Sequence, residues 1–169
     1  MVDAHPERHV VADLRPAPAG AAIPAADVAR GVARMLLRHD YAALTEVPLG
    51  NGRRADIMAI NSRGQILIVE IKVSRADLLG DGKWPEYLDY CDRFCWAVPA
   101  GFPLDPFDAP ALRPDLAGLI VADRYDAQYW REAGVQAMPP ARRRAETLRF
   151  ARRAAHRLIG HLDPDAAQF

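Results

Sequence analysis

Asp56, Glu70 and Lys72 are the residues of this 169-residue chain whose types and spacing point most directly to chemistry. Glu70 and Lys72 close the apolar run 65–73, and successive side chains of a strand point to opposite faces. The two therefore emerge together, on the face that also carries Ile66 and Ile68. Asp56 opens an earlier β-branched run, 56–60, and Asn61-Ser62-Arg63-Gly64 between the runs is turn chemistry. Antiparallel pairing through that turn brings Asp56 alongside the end of the second strand. Two carboxylates about 4 Å apart repel by roughly 4 kcal/mol at an effective dielectric near 20. Lys72 offsets one of them. The other must protonate, stay in water or hold a cation. Mg²⁺ takes one or two carboxylates together with waters and phosphate oxygens. A metal-activated water beside an ammonium is the equipment for phosphodiester hydrolysis. Glu-x-Lys alone is common on solvated strand faces, so the upstream Asp gives the pattern its weight.

The elements that must position these residues follow from periodicity. The spacing of Val28, Val32, Met35 and Leu36 predicts a helix over 27–39, ended by His39. A first strand is expected over 41–49, with Glu46 inside it as an edge-strand charge or a further acid of the site. Residues 50–54 form a turn that places Arg53 and Arg54 at the mouth of the site, facing a phosphate or solvent. After the hairpin, 74–79 begins a helical turn that Gly80-Asp81-Gly82 interrupts. A helix over 84–91 follows, since Pro85 suits a first turn. Its aromatic residues read as core, and Lys83 and Tyr87 are candidates to line a cleft. Then come a strand over 93–98, a Pro-, Gly- and Asp-rich loop over 99–114, a buried strand over 116–122, a turn at 123–126 and a short last strand within 129–138, around 134–137. The last helix, 141–162, carries an apolar stripe of Leu148, Ala151, Ala155, Leu158, Ile159 and Leu162. It also holds seven arginines, at 142, 143, 144, 149, 152, 153 and 157, against the single acid Glu146. A basic helix tracks phosphates; for 149–157 a solvated face on a packing helix reads equally well. Arginine at a helix start opposes the dipole, so Arg142, Arg143 and Arg144 make better sense with an anionic partner. This order of elements fits an α/β fold, a mixed sheet flanked by helices.

Asp…Glu-x-Lys across a hairpin resembles the core of the PD-(D/E)XK nuclease superfamily, with Ala55 standing where that name has proline. The run 69–94, above all Lys83-Trp84-Pro85-Glu86-Tyr87-Leu88-Asp89-Tyr90, closely resembles the MmcB family of bacterial DNA-repair proteins, to which endonuclease activity is ascribed. The likeness spans residues 27 to 161 or so. It implies a restriction-endonuclease-like fold and a metal-dependent DNA endonuclease. Asp56 and Glu70 would hold Mg²⁺ or Mn²⁺, with the Ile71 carbonyl and Glu46 as further ligands. Lys72 would position water and stabilise the pentacoordinate phosphate. DNA would meet Arg53, Arg54, Lys83, Arg142, Arg143 and Arg144, with Tyr87 supporting the site, and other repair proteins are further expected partners. The rival readings are a non-catalytic DNA-binding or adaptor module on the same fold and a metal enzyme acting on a nucleotide.

The bulk numbers set bounds. The length suits one domain, expected over 25–162, with a flexible Ala- and Pro-rich arm over 1–24 and a tail over 163–169. The net charge is zero, so any affinity for nucleic acid rests on uneven placement of charge. Cys91 and Cys95 give neither a disulfide framework nor a zinc pattern, which fits a reducing cytoplasm. No signal peptide and no apolar run of membrane-spanning length is expected. His5 and His9 could share a helix face as metal ligands, though their surroundings favour a disordered pair without function, and His156/His161 is rejected because its members do not share a helix face.

Overall fold

A computed structural model describes Leu14 and residues 23–165. The expected arm therefore lies outside the described residues except for Leu14, Ile23 and Pro24. Of the expected tail, 166–169 also lie outside.

Six strands form one mixed sheet in the order of the sequence: β1 (Tyr41–Pro48), β2 (Arg54–Asn61), β3 (Ile66–Ile71), β4 (Arg93–Pro99), β5 (Gly118–Ala122) and β6 (Ala127–Arg131). The first three are antiparallel, β3 to β5 are parallel, and β6 returns antiparallel. Helices cover both faces, so β3 and β4 read as nearly continuous apolar runs rather than alternating ones. On one face Val28, Val32 and Leu36 of α1 (Ala25–Arg38) pack with Ile57, Val69, Cys95 and Ile120. On the other, Ile66, Ile68, Phe94 and Trp96 pack with Trp84, Tyr87, Phe107 and Phe150. Trp84, Phe94 and Trp96 meet edge-on or tilted at 4.9–5.5 Å between ring centres. Gly31 lets α1 approach closely: a Cβ there would stand 2.0 Å from the Asp123 carbonyl oxygen and 2.5 Å from that of Asp126.

Three elements differ from the sequence reading. The last strand, expected within 129–138 around 134–137, starts earlier and overlaps that span only at 129–131: β6 pairs with β5 directly after the turn at Asp123–Asp126, closed by the bond from the Asp123 N–H to the Asp126 carbonyl. The expected helix 84–91 is a 3-10 helix, Trp84–Tyr90, with Pro85 in its first turn and Cys91 already extended. Helix α3 (Pro140–Leu162) has nearly the expected bounds, but its apolar stripe faces outward. Leu148, Leu158, Ile159 and Leu162 are more than half exposed, and the buried residues are Phe150 and the acid Glu146.

Asp92 ties the start of α3 to the sheet. It accepts from the N–H groups of Ile66 (2.8 Å) and Met138 (3.2 Å) and is forked by the Arg143 guanidinium at 2.5 and 2.6 Å. The anionic partner of Arg143 is thus internal. That contact takes up a guanidinium that the sequence reading had assigned to DNA. No helix among the described residues is long and apolar enough to cross a membrane.

Candidate functional site

The hairpin β2–β3 sets Ile57 opposite Val69, and this register brings Asp56 against Glu70. Each carboxylate is held by the other's strand. Glu70 Oε1 accepts from the Asp56 N–H at 3.1 Å, and Asp56 Oδ2 accepts from the Ile71 N–H at 2.8 Å. Glu70 is 4 % exposed. Burial first, and then the neighbouring Asp56 charge, push its carboxyl up to about 8. Asp56 is also raised, mainly by burial, with the Ile71 N–H acting against the shift. Near neutral pH the pair therefore retains a proton that an incoming cation must displace.

Lys72 emerges on the Glu70 face, but its ammonium is ion-paired with other acids. It stands 2.7 Å from Asp81 Oδ2 and 3.7 Å from Asp77 Oδ1, both beyond β3, around α2 (Arg75–Gly80), and 5.7 Å from the centre of the Trp96 ring. Its charge still acts to lower the pKa of both Glu70 and Asp56, but its ion-pair partners are Asp81 and Asp77. Burial works against the charged form of Lys72. The hydrogen bond and charge of Asp81, with the charges of Asp77 and Glu70, outweigh burial and raise its pKa. The ammonium stays charged.

These groups line one cleft of about 790 Å³. Asp56, Glu70, Ile71 and Lys72 meet there with Thr45, Glu46 and Arg54 on the β1–β2 side and Asp77 and Asp81 on the α2 side. Ala25, Ala26, Ala29, Arg30 and Ala33 of α1 form a low wall. Tyr87 also lines the cleft, and its hydroxyl donates to the Arg54 carbonyl at 3.2 Å. Burial, followed by the Glu70 charge, raises the Tyr87 pKa, so the phenol stays protonated.

Glu46 lies at the rim. Thr45 pairs with Ile57 and Val47 with Ala55, so Glu46 falls opposite Asp56 without joining the ladder, in left-handed backbone (φ 53°) that a non-glycine residue seldom adopts. Arg157 of α3 donates to the Thr45 and Glu46 carbonyls and braces this kink. The Glu46 carboxylate is paired with Arg54 at 2.6 Å. Among the described residues no set of three His, Cys, Asp or Glu side chains converges on one point, so Glu46 does not close a third ligand onto the pair. The donor set that does converge, two carboxylates beside the Ile71 backbone, is the partial oxygen set that suits a hydrated Mg²⁺ or Mn²⁺.

The other sequence candidates lie elsewhere. Arg53 is forked onto Glu86 at 2.9 and 3.0 Å, outside the cleft lining. Lys83 is exposed just before the 3-10 helix. Arg142 stacks over Tyr90 at 4.6 Å, and Arg143 is held by Asp92. Arg144, Arg152 and Arg153 have no ion-pair partner among the described residues. A shallower groove of about 350 Å³ runs between Val47 and Pro48 of β1 and Arg149, Arg152, Arg153 and His156 of α3, directly beside the Thr45–Glu46 rim. The sequence reading missed Asp77 and Asp81 as site residues. Their only signal was a pair of acids five and nine residues downstream of the lysine they meet, the second between two glycines.

The family described as DNA repair protein MmcB-like matches residues 16–165. A solved structure of SPO1766, a protein of unknown function from Silicibacter pomeroyi, is 42 % identical with a TM-score of 0.76. The match covers 84 % of this chain and 93 % of that one. No curated protein matches the chain.

Proposed function

Because the chain belongs to the family of MmcB-like DNA repair proteins, we propose that it is a metal-dependent DNA nuclease of the PD-(D/E)XK type, with Asp56, Glu70 and Lys72 at its centre. One observation carries this reading. The buried carboxylate of Glu70 and the partly buried one of Asp56 stand side by side across the hairpin, beside a lysine kept charged in the same cleft. A purely structural role does not explain so costly an arrangement.

Asp56, Glu70 and the Ile71 carbonyl would hold Mg²⁺ or Mn²⁺, which when bound supplies an activated water and offsets charge on the phosphate. Binding requires Glu70 to release its proton. Lys72 orients the attacking water and stabilises the charge added to the phosphate. The attacking water gives up one proton to the solvent as its oxygen bonds to phosphorus, the bond from phosphorus to a deoxyribose oxygen breaks, and the leaving oxygen takes up one proton. Arg54 and Arg30 flank the cleft as phosphate contacts. The α3–β1 groove continues this path along the β1 edge, where Arg152 and Arg153 meet further phosphates.

The alternative is a DNA-binding or adaptor module without catalysis. The test is cleavage of single-stranded, nicked, flapped and branched DNA in Mg²⁺, Mn²⁺ or EDTA by the natural chain, Lys72→Ala and Asp56→Ala. Metal-dependent cutting lost in both variants supports the nuclease. Salt-sensitive binding in all three without cutting supports the adaptor.

A further inference from the structure

Left to itself, the Lys72 ammonium would turn to Glu70. The two side chains leave the same face of β3, two residues or roughly 6.6 Å apart along the strand. An ammonium there would neutralise Glu70 and occupy the space a cation needs. The structure avoids this outcome through Asp81, in the linker between α2 and the 3-10 helix. One carboxylate oxygen of Asp81 is fixed from behind by the Lys83 N–H at 3.3 Å, and the other meets the Lys72 ammonium at 2.7 Å. Gly80 and Gly82, both in open space, flank it and leave the linker free to present the acid inward. Its side chain is largely buried against the lysine, whereas that of Asp77, at 3.7 Å, is half exposed and acts at longer range.

We propose that Asp81 is the positioning residue of Lys72. It draws the ammonium to the α2 wall of the cleft, off the Asp56–Glu70 pair, and so leaves that pair open to a divalent cation. Asp81 acts through the lysine and not as a ligand. The inference rests on the reading of Asp56 and Glu70 as cation ligands.

A double-mutant cycle on Mn²⁺ affinity tests it, measured by titration calorimetry at pH 8.5 and 0.15 M salt on the full chain, with no nucleic acid present. The four proteins are the natural chain, Asp81→Asn, Lys72→Met and the double variant. Lys72→Gln serves in place of Lys72→Met if thermal unfolding shows that the latter misfolds. Asp81→Asn is expected to weaken Mn²⁺ binding about tenfold where Lys72 is present, because the released ammonium competes for Glu70. It is expected to change binding less than about twofold where Lys72 has been replaced. An equal loss in both backgrounds would make Asp81 a ligand and overturn the proposal while leaving the cation site standing. No loss in either background overturns it too. If the natural chain binds no Mn²⁺, the reading of the carboxylate pair fails, and the proposal fails with it.

Discussion

Replacing Glu70 by Gln should stabilise the protein, and the gain should depend on pH. The carboxyl moves from its ordinary 4.5 to about 8 on folding. Below pH 4.5 the folded and unfolded chains both carry this proton, and the natural protein has its full stability. Between 4.5 and about 8 the folded chain holds a proton that the unfolded chain has released, so stability falls as pH rises. At 1.36 kcal/mol per pH unit the loss grows to about 5 kcal/mol above pH 8. Glutamine keeps the acceptor for the Asp56 N–H and never ionises. Other titrating groups are common to both proteins and largely cancel in the difference. The advantage of Glu70→Gln should therefore be near zero at pH 4.5, about 2.7 kcal/mol at pH 6.5 and about 5 kcal/mol at pH 9. Urea unfolding at these pH values, in EDTA, measures it directly. A difference that stays flat from pH 5 to 9 would refute the claim that burial and Asp56 hold a proton on Glu70. Mn²⁺ added at pH 8.5 should stabilise the natural chain and not the variant.

Further expectations can be checked with the same protein. Mn²⁺ affinity should rise about tenfold per pH unit from 6 towards 8 and level off above, with about one proton released per ion at pH 6.5; calorimetry in buffers of different ionisation heat reads both. Asp92→Ala strands the Arg143 guanidinium and two backbone N–H groups, and should cost about 3–5 kcal/mol in urea unfolding. Burial acts to raise the Asp92 pKa, but Arg143 and the two N–H groups outweigh it and hold the carboxyl below its ordinary 3.8. Its contribution is thus present above pH 3.8 and lost as pH falls through the depressed value. Arg152→Glu combined with Arg153→Glu should weaken DNA binding and lower the slope of log affinity against log salt by about 2 while leaving the melting temperature unchanged, as fluorescence anisotropy across a salt series would show.

The hairpin was legible because two local signals agreed. The turn Asn61–Gly64 fixed the register, and alternation along β3 fixed the face, so Asp56 and Glu70 met as expected. The mixed sheet followed from the order of apolar runs. What the sequence concealed were the partners that long side chains take. Nothing near Lys72 shows that its ammonium prefers Asp81, since the choice depends on how a glycine-flanked linker folds back over β3. The stripe on α3 has the spacing of a packing face. The helix nevertheless turns Phe150 and Glu146 inward, because Arg143 is claimed by Asp92 at one end of the helix and Arg157 by the kink of β1 at the other. Periodicity reports that a helix has an apolar side. It does not report which side the rest of the molecule will claim.

Gly31 gives the cleft an adjustment screw on the far flank of α1. On a helical wheel it lies roughly opposite Ala29 and Ala33, the residues that form the cleft wall. Its missing Cβ is what allows the helix to lean against the Asp123 and Asp126 carbonyls. A single methyl at this position must open a 2.0 Å approach towards the 3.4 Å of ordinary contact, by a shift of α1 or of the Asp123–Asp126 turn. Whatever part of that shift α1 takes up moves the wall relative to the carboxylates, and a misplacement of about 1 Å costs up to ~10²-fold in rate at a catalytic site that depends on alignment. The aperture of the cleft is thereby a heritable dimension, set by a residue that no ligand in the cleft would touch.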